Sequence, residues 1–353
     1  MSNFHTLAVK EVTKIALDSV SITFEVPENL QNDYKFKEGQ YITLKQTINN
    51  ENIQRAYSIW KAPYENELSV LVKKVENGIF SSYANDVLKQ GDKLEVMTPQ
   101  GNFVPSLSAN NSNHYTLVAA GSGITPIFSI LKQILNTEAN SSIDLFYVNK
   151  TQESTAFLSD LETLKNNNSD RLKVYNLYTK ETSGDKNFDG RMNLEKLELM
   201  KQLGVLNVKS FEYYLCGPEQ MILDSKDYLV SQGVKEEKVK FELFTASAAG
   251  KEIEIETDIT ESKVHVVIDD DDFEYTFDMA KSDNILDEGI NQGLDLPYSC
   301  KGGVCCTCRA KVLEGSAKMK INYALTEGEV EDGYILTCQA IPTSSTIKVS
   351  FDD

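Results

Sequence analysis

Four cysteines near the carboxyl end of the chain constrain its structure more than any other feature. Cys300, Cys305 and Cys308 lie within one short loop, and Cys338 follows much later. Thiolates are soft ligands that bind zinc and iron–sulfur clusters. The glycines at positions 302 and 303 let the loop backbone approach a bound group closely and direct N–H groups at its sulfur ligands. The pattern predicts a metal centre that one loop surrounds and a distant strand completes.

The spacing of these cysteines decides between three kinds of site. The pattern C-x₄-C-x₂-C with a distant fourth cysteine is that of plant-type ferredoxins, which hold a [2Fe–2S] cluster through four thiolates. A structural zinc site prefers paired C-x₂-C knuckles, and only Cys305 and Cys308 form one. Disulfides are disfavoured in a cytosolic chain. Cys306 has no matching partner position, so we interpret it as a non-ligand and predict a cluster held by Cys300, Cys305, Cys308 and Cys338.

Length and hydropathy set the class of protein. A chain of 353 residues is too long for one core and predicts two or three domains. It is 41% apolar, yet no run approaches the ~18 to 20 apolar residues that cross a bilayer. Residues 1–20 carry scattered charges and no apolar stretch of the signal-peptide type. We therefore expect a soluble, cytoplasmic protein.

The charge balance narrows the possible partners. With 35 basic and 53 acidic residues the net charge is −18, which repels polyanions. We expect neither nucleic acid nor membrane as a partner. Residues 262–353 hold 17 acidic and 8 basic residues, a net of −9. This acidic unit either docks on a basic surface or only keeps the protein soluble.

The histidines exclude several metal enzymes. His5, His114 and His265 are far apart in sequence, and none has a metal-ligand spacing to another. A His₂-carboxylate iron site, an HExxH zinc site and a Rieske centre are therefore not expected.

Hydrophobic periodicity divides the chain into regions. Alternating residues at 41–45, 68–73 and 93–96, separated by glycine turns, predict a small antiparallel barrel over 1–106. Over 107–245, strand patterns at 115–119, 143–148, 172–177, 211–215 and 239–242 alternate with helical patterns at 125–136, 154–166, 194–203 and 220–232. This alternation predicts a parallel sheet with helices on both faces.

The carboxyl-terminal quarter is predicted to be a separate unit. Small residues followed by charged ones predict a linker over 246–261. The domain over 262–353 begins with a strand pattern at 264–268, a turn of four aspartates at 269–272 and a second strand at 275–277.

Short motifs within the barrel point to a flavin. Arg55-Ala56-Tyr57-Ser58 lies between two strands, Gly78-Ile79-Phe80-Ser81 follows, and residues 99–103 close the barrel. Together they resemble the flavin domain of the ferredoxin–NADP⁺ reductase superfamily. The resemblance implies that Arg55 neutralises the flavin pyrophosphate, while Tyr57 packs on the ring and Ser58 bonds near its reactive nitrogen. It implies these flavin-binding residues: Arg55, Tyr57, Ser58, Gly78, Ile79, Phe80, Ser81 and Ser82.

The parallel region carries the matching nicotinamide motifs. Gly121-Ser122-Gly123-Ile124-Thr125-Pro126 follows a strand and begins a helix, but lacks the third glycine of a dinucleotide fingerprint. A tight strand-to-helix turn is the alternative. The same superfamily uses this form for NAD(P)H, which implies that Gly121 and Gly123 admit the pyrophosphate and that Thr125 faces the nicotinamide.

Two further segments match that superfamily. Cys216-Gly217-Pro218 corresponds to its C-G-P turn, which places the cysteine beside the nicotinamide. A buried apolar cysteine is the alternative. Phe244 stands where relatives keep an aromatic residue near the flavin, although a core phenylalanine fits there as well. The resemblance thus implies these catalytic residues: Tyr57, Ser58, Thr125, Cys216 and Phe244.

The choice between NADPH and NADH depends on one dipeptide. Relatives specific for NADPH bind its 2′-phosphate with Ser-Arg at the end of the third strand of this domain. Thr179-Lys180 stands at that position here, so a hydroxyl and a cation remain, without the bidentate fork of arginine. NADPH is the expected donor.

The order of the three units completes the interpretation. It most resembles the reductase subunits of ring-1,2-phenylacetyl-CoA epoxidases, down to the loop at residues 297–309. The resemblance implies an antiparallel FAD barrel, a parallel α/β NAD(P)H domain and a β-grasp ferredoxin domain. Electrons would pass from NADPH through FAD and the [2Fe–2S] cluster to a separate di-iron oxygenase. The alternatives are an FMN- or FAD-containing, NADH-dependent reductase of another oxygenase, such as a Rieske type, and a non-catalytic zinc-binding adaptor.

Overall fold

An antiparallel barrel forms the amino-terminal part of the protein, in a computed structural model that describes residues 4–244, 255 and 257–352. Its strands pair in the order β4-β3-β6-β1-β2-β5, and a bridge between Ile59 and Val70 joins the two edges. Closure removes exposed strand edges. The elements are β1 (Phe4–Ala16), β2 (Ser19–Glu25), β3 (Tyr41–Ile48), β4 (Glu51–Ser58), β5 (Leu68–Lys73), α1 (Ile79–Asp86) and β6 (Lys93–Met97).

A five-stranded parallel sheet follows the barrel. Its strand order is β11-β10-β7-β8-β9, so the first strand lies at the centre and the chain runs outward in both directions. Ligands bind such sheets at the carboxyl ends of their strands. The elements are β7 (His114–Ala120), α2 (Ile124–Thr137), β8 (Ser142–Asn149), α3 (Leu158–Asn167), β9 (Leu172–Tyr178), α4 (Leu194–Gln202), β10 (Glu212–Gly217), α5 (Glu219–Ser231) and β11 (Val239–Leu243).

A mixed sheet forms the carboxyl-terminal unit. Its order is β13-β12-β18-β14-β16, with β12 and β18 parallel, as in a β-grasp fold. The elements are β12 (Glu261–Ile268), β13 (Asp271–Asp278), α6 (Ile285–Asn291), β14 (Arg309–Glu314), β15 (Ala317–Met319), α7 (Glu327–Glu331), β16 (Tyr334–Leu336), β17 (Ala340–Pro342) and β18 (Thr346–Ser350).

The expected fold class is confirmed, with two local corrections. The helix expected over 154–166 begins only at Leu158, because hydrogen bonds between Thr151 and Ser154 form a turn before it. The turn of four aspartates contains only Asp269 and Asp270, both with left-handed φ angles, and the other two belong to β13. A two-residue hairpin turn of type I′ requires positive φ angles at both central residues.

The domain limits stay predictions. Most of the predicted linker, 246–261, lies outside the described residues, and β12 already begins at Glu261. Within the described residues, none of the helices combines the length and the apolar character needed to cross a bilayer.

The apolar core is divided unequally between these units. One buried cluster contains Leu71 and Phe103 from the barrel together with α2 residues such as Ile127 and Phe128. The cluster of the mixed sheet contains only residues from Val264 onward. The first two units therefore share apolar packing, whereas the third has a core of its own and contributes only Val304 to the buried cluster of the parallel sheet.

Candidate functional site

A cavity of about 440 Å³ lies where the three units meet. Its volume is within the usual range for cofactor sites. Five of the predicted site residues line it: Arg55, Ser58, Phe244, Cys300 and Cys305. The other lining residues are Tyr41, Ile53, Ala56, Glu242, Leu243, Tyr298, Ser299, Lys301 and Val304.

Strand β4 carries three of the predicted flavin-binding side chains, of which Arg55 and Ser58 line this cavity and Tyr57 does not. Arg55 is exposed, and its guanidinium donates only to the Gln54 carbonyl among the described residues, at 2.7 Å, so it remains available to an anion. Tyr57 packs against Phe80 with ring centroids 5.6 Å apart. Burial raises the pKa of Tyr57, so its hydroxyl stays neutral. Strand β4 thus presents a cation and an aromatic ring on one side of the barrel.

The turn before α1 has the geometry of a phosphate cradle. A Cβ atom on Gly78 would clash with the Ser81 hydroxyl and a Val75 methyl group, so a larger residue would displace these side chains. Ser81 accepts a hydrogen bond from the Val75 N–H at 3.2 Å and donates to the Gly78 carbonyl. The first N–H groups of α1, from Ile79 onward, have no partner within the helix. An anion at this helix terminus is stabilised by the same groups.

The nicotinamide motifs form a second tight contact. A Cβ atom on Gly123 would clash with the Cys216 carbonyl, so the glycine loop packs directly on the C-G-P turn. Gly121 has a φ of 55°, a conformation that favours glycine. Thr125 is buried and donates to the Ser122 carbonyl at 2.9 Å. Pro218 then precedes α5 at the carboxyl edge of the sheet.

A carboxyl group that sequence reasoning did not select connects the predicted flavin site of the barrel to the predicted nicotinamide site of the parallel sheet. Ser58 donates to Glu242 at 3.3 Å, and Glu242 raises the pKa of the Cys216 thiol, although burial of that thiol is the larger cause. Removal from water raises the pKa of Glu242 to about 8, while the Ser58 hydrogen bond opposes the shift. One indication of a role for Glu242 was present in the sequence, namely its position two residues before Phe244, a predicted site residue.

The predicted 2′-phosphate residues lie at the far edge of the parallel sheet. Thr179 and Lys180 follow β9, and their N–H groups donate to the carbonyls of Asn149 and Lys150 at 2.9 Å. The Lys180 side chain is exposed. These residues do not line the cavity, which is consistent with an extended dinucleotide across the strand ends.

The four predicted cluster ligands form two pairs of thiols. The sulfurs of Cys300 and Cys305 are 3.2 Å apart, and the side chains of Cys308 and Cys338 contact each other. Two pairs match a centre with two ligands for each of two irons. Among the described residues, no three Cys, His, Asp or Glu side chains converge as one ion requires. The donor set therefore fits a [2Fe–2S] cluster better than zinc.

Backbone groups of the cysteine loop, residues 300–308, support this donor set. The Gly302 N–H donates to the Cys300 sulfur at 3.3 Å, and Gly303 has a φ of 73°. Gln339 donates to the Lys301 carbonyl at 2.9 Å and holds the loop against the segment that carries the fourth cysteine. Cys306 directs its thiol to the Ala324 carbonyl, which agrees with the non-ligand interpretation.

The cysteine loop is attached directly to the barrel. The Cys306 N–H donates to the Tyr41 hydroxyl at 2.7 Å, and Tyr41 also lines the cavity. Sequence reasoning missed this contact, since nothing in a tyrosine at the start of a strand indicates its partner. Further hydrogen bonds join the Thr43 and Thr307 hydroxyls at 3.0 Å, the Ala56 N–H and Ser299 at 2.6 Å, and Lys45 and Asp295 at 2.7 Å.

Comparison with protein families gives three matches in the expected order. An oxidoreductase FAD-binding domain matches residues 6–104, an oxidoreductase NAD-binding domain matches 117–227, and a 2Fe-2S iron-sulfur cluster binding domain matches 268–343.

Individual relatives cover the whole chain. It is 38% identical to one of the subunits of the 1,2-phenylacetyl-CoA epoxidase of Escherichia coli strain K12, over 100% of the chain and 99% of the relative. It is 29% identical to the ferredoxin reductase component of 3-ketosteroid-9-alpha-monooxygenase of Rhodococcus rhodochrous, over 98% and 96%. Among solved structures, phthalate dioxygenase reductase has a TM-score of 0.59 at 21% identity, covering 99% of this chain and 98% of that one.

Proposed function

Because this chain belongs to the family of oxygenase reductases that includes the reductase of 1,2-phenylacetyl-CoA epoxidase, we propose that its electron acceptor is a di-iron oxygenase of the phenylacetyl-CoA epoxidase type. The chain is an oxidoreductase that transfers electrons from a nicotinamide dinucleotide through FAD to a [2Fe–2S] cluster. The 38% identity over both full lengths supports the choice of this oxygenase over others.

One observation carries the proposed electron path. The same cavity is lined by Arg55 and Ser58 of the barrel, by Glu242 at the end of the parallel sheet, and by Cys300 and Cys305 of the cysteine loop. When bound, a flavin accepts two electrons as a hydride and releases them singly to a one-electron cluster. A ring in this cavity would contact protein groups from both its donor side and its acceptor side.

The protein residues hold and orient the reactants. We assign Arg55 and the first turn of α1 to the flavin pyrophosphate, and Tyr57 to the ring face. Ser58 and Glu242 would offer a bound flavin a hydroxyl and a carboxyl whose pKa burial raises to about 8. No nucleophile or general base is needed for hydride and electron transfer.

Reconstitution tests the proposed acceptor. The purified reductase is combined either with the oxygenase component of a phenylacetyl-CoA epoxidase or with that of a 3-ketosteroid-9-alpha-monooxygenase. We expect NADPH-dependent consumption of phenylacetyl-CoA at least tenfold faster than steroid turnover. This transfer should also slow as salt rises, because the net charge of −9 over 262–353 steers a basic partner. Faster support of the steroid oxygenase would contradict the proposal.

We further propose NADPH as the donor. Lys180 is exposed beside Thr179 and forms no ion pair with the described residues. Replacing Lys180 by Ala should weaken NADPH use by roughly 1 to 3 kcal/mol, the range for a charge-assisted hydrogen bond, and leave NADH use nearly unchanged. Lys173, an exposed lysine near the start of β9, is the matched control, and Lys173→Ala should affect neither dinucleotide. Equal effects of Lys180→Ala on both would place the phosphate site elsewhere.

A reductase for a Rieske-type oxygenase is the second candidate. The match to phthalate dioxygenase reductase over 99% of the chain favours it, as does the steroid monooxygenase relative. The reconstitution above separates the two candidates. A cytoplasmic location is also part of the proposal, supported by Cys216 and Cys306, two cysteines outside the predicted cluster that form no disulfide.

A further inference from the structure

An unpaired amide lies buried between the two nucleotide-binding segments. Asn149 ends β8 and is only 5% exposed. Its Nδ2 atom has no hydrogen-bond partner in the part of the chain that the structure describes. Buried polar groups are nearly always paired, because an unmade hydrogen bond loses the water that the group had in the unfolded chain. The Nδ2 atom of Asn149 is an exception to this rule, so it can donate a hydrogen bond to a bound ligand.

The register of the parallel sheet places this amide on the nucleotide path. Val148 pairs with Ala120, so Asn149 stands level with Gly121, the first glycine of the glycine loop. On its other side Asn149 pairs with Tyr178, directly before Thr179. A dinucleotide that extends from the glycine loop to the end of β9 must pass over the end of β8.

Contacts of the neighbouring tyrosine locate the side chain. Tyr147 precedes Asn149 by two residues on the same face of β8, and its hydroxyl donates to the carbonyls of Gly121 and Ala156 at 3.3 and 3.4 Å. Burial raises the pKa of Tyr147 and the nearby Asn149 amide opposes this shift, but Nδ2 forms no hydrogen bond of normal geometry with the hydroxyl. The amide therefore lies beside the glycine loop and not on the opposite face of the sheet.

We propose that Asn149 is a further dinucleotide-binding residue, whose amide donates to the pyrophosphate or the adjoining ribose. This inference rests on the dinucleotide use described above. The pyrophosphate and the ribose hydroxyl at this place are common to NADPH and NADH, so Asn149 contributes affinity without choosing between them. The 2′-phosphate lies farther along, at Thr179 and Lys180, in the proposal made above.

Replacement of the amide separates binding from stability. Asn149→Leu removes the donor and fills the same space, so we expect the KM for NADPH and the KM for NADH to rise by the same factor, about tenfold or more. The dissociation constant of NADP⁺, measured by calorimetry on the flavin-loaded protein, should rise equally. The Tm without nucleotide should not fall, because the lost group had no partner in the free protein.

Asn113 provides the matched control, because it lies at the opposite end of the strands, directly before β7. Its amide donates to the Tyr115 hydroxyl at 3.2 Å, so it is paired where Asn149 is not. Asn113→Leu should lower the Tm and leave both KM values unchanged. If Asn149→Leu does not fold, Asn149→Asp keeps the shape and places a carboxylate beside the phosphates, which should weaken both dinucleotides more strongly.

The outcomes distinguish this inference from the proposed function. Unchanged KM values for Asn149→Leu would overturn it, as would an increase for NADPH alone. If the wild type used NADH as readily as NADPH, the proposal for Lys180 would fail, whereas the Asn149 effect would still be measured with NADH.

Discussion

The barrel contacts its two neighbours through surfaces of opposite character. Against the parallel sheet it presents Trp60, which packs on Phe157 at 4.6 Å and on Phe128 at 6.3 Å between ring centroids. Lys132 lies over Trp60 at 4.7 Å and forms a buried ion pair with Glu65. Among the described residues this interface is mainly aromatic, and its Lys132–Glu65 ion pair is largely shielded from water.

Against the ferredoxin unit the barrel presents hydroxyl and amide groups. The contacts at Tyr41, Thr43 and Ala56 are hydrogen bonds to the cysteine loop and the residue before it, and Lys45 adds an ion pair to the exposed Asp295. The buried apolar clusters of the barrel and of the ferredoxin unit share no residue.

The aromatic interface and the polar interface support different steps, hydride transfer to the flavin and electron transfer to the cluster. Apolar packing is worth several kcal/mol per large side chain, whereas a hydrogen bond nets only about 1 kcal/mol. The domain of the parallel sheet is therefore held against the barrel by apolar packing that does not exchange easily with water. The cysteine loop is attached to the barrel by a few directional hydrogen bonds, while its Val304 side chain packs against the parallel sheet.

The largest difference should appear in stability. Trp60→Ala removes the ring shared by the barrel and the parallel sheet and should lower the free energy of unfolding by about 3 to 5 kcal/mol. Thr307→Val removes only one hydroxyl of the polar interface and should cost about 1 kcal/mol. Urea denaturation followed by circular dichroism measures both. Equal losses of unfolding free energy in the two variants would contradict the difference in strength between the two interfaces.

A pH effect is expected where the two interfaces meet. Because burial raises the pKa of Glu242 from 4.5 to about 8, the ionised carboxyl opposes folding as pH rises through this interval, and the penalty is complete above pH 8. Glu242→Gln does not titrate. Its Tm should match that of the wild type below pH 4.5 and exceed it by a few degrees at pH 9. Parallel Tm curves would show that the carboxyl keeps an ordinary pKa.

The smallest effect is expected at the polar interface. Tyr41→Phe removes the acceptor of the Cys306 N–H and should slow electron arrival at the cluster a few-fold, with little change in flavin reduction. The control is Tyr34→Phe, which removes a hydroxyl bonded to the Val96 carbonyl inside the barrel. Stopped-flow absorbance at flavin and cluster wavelengths separates the two steps. An equal slowing by both variants would mean that Tyr41 has no positioning role.

Local patterns were sufficient to predict the fold. Strand alternation, the glycine turns and the alternation of strands with helices depend on neighbours in sequence, and they placed the parallel sheet within a few residues. The cysteine spacing likewise predicted a four-thiolate site, since three of the four ligands belong to one loop.

Contacts between distant segments could not be predicted in this way. Glu242 gains its raised pKa only because folding removes it from water beside Ser58, 184 positions away. Tyr41 and Cys306 are 265 positions apart, and no pattern near either one indicates the other. The unpaired amide of Asn149 could not be predicted from the sequence either, because an unsatisfied donor is recognised only when the atoms around it are known.

The central claim is that electrons pass in series from the dinucleotide to the flavin and then to the cluster. Cys338→Ser tests it most directly, with Cys306→Ser as the control, because Cys338 pairs with Cys308 whereas Cys306 directs its thiol elsewhere. Under anaerobic mixing with NADPH, Cys338→Ser should lack the iron–sulfur absorbance, reduce its flavin at the wild-type rate, pass electrons to ferricyanide and fail to support any oxygenase. Full oxygenase support by Cys338→Ser, or an intact cluster spectrum in it, would contradict the series arrangement.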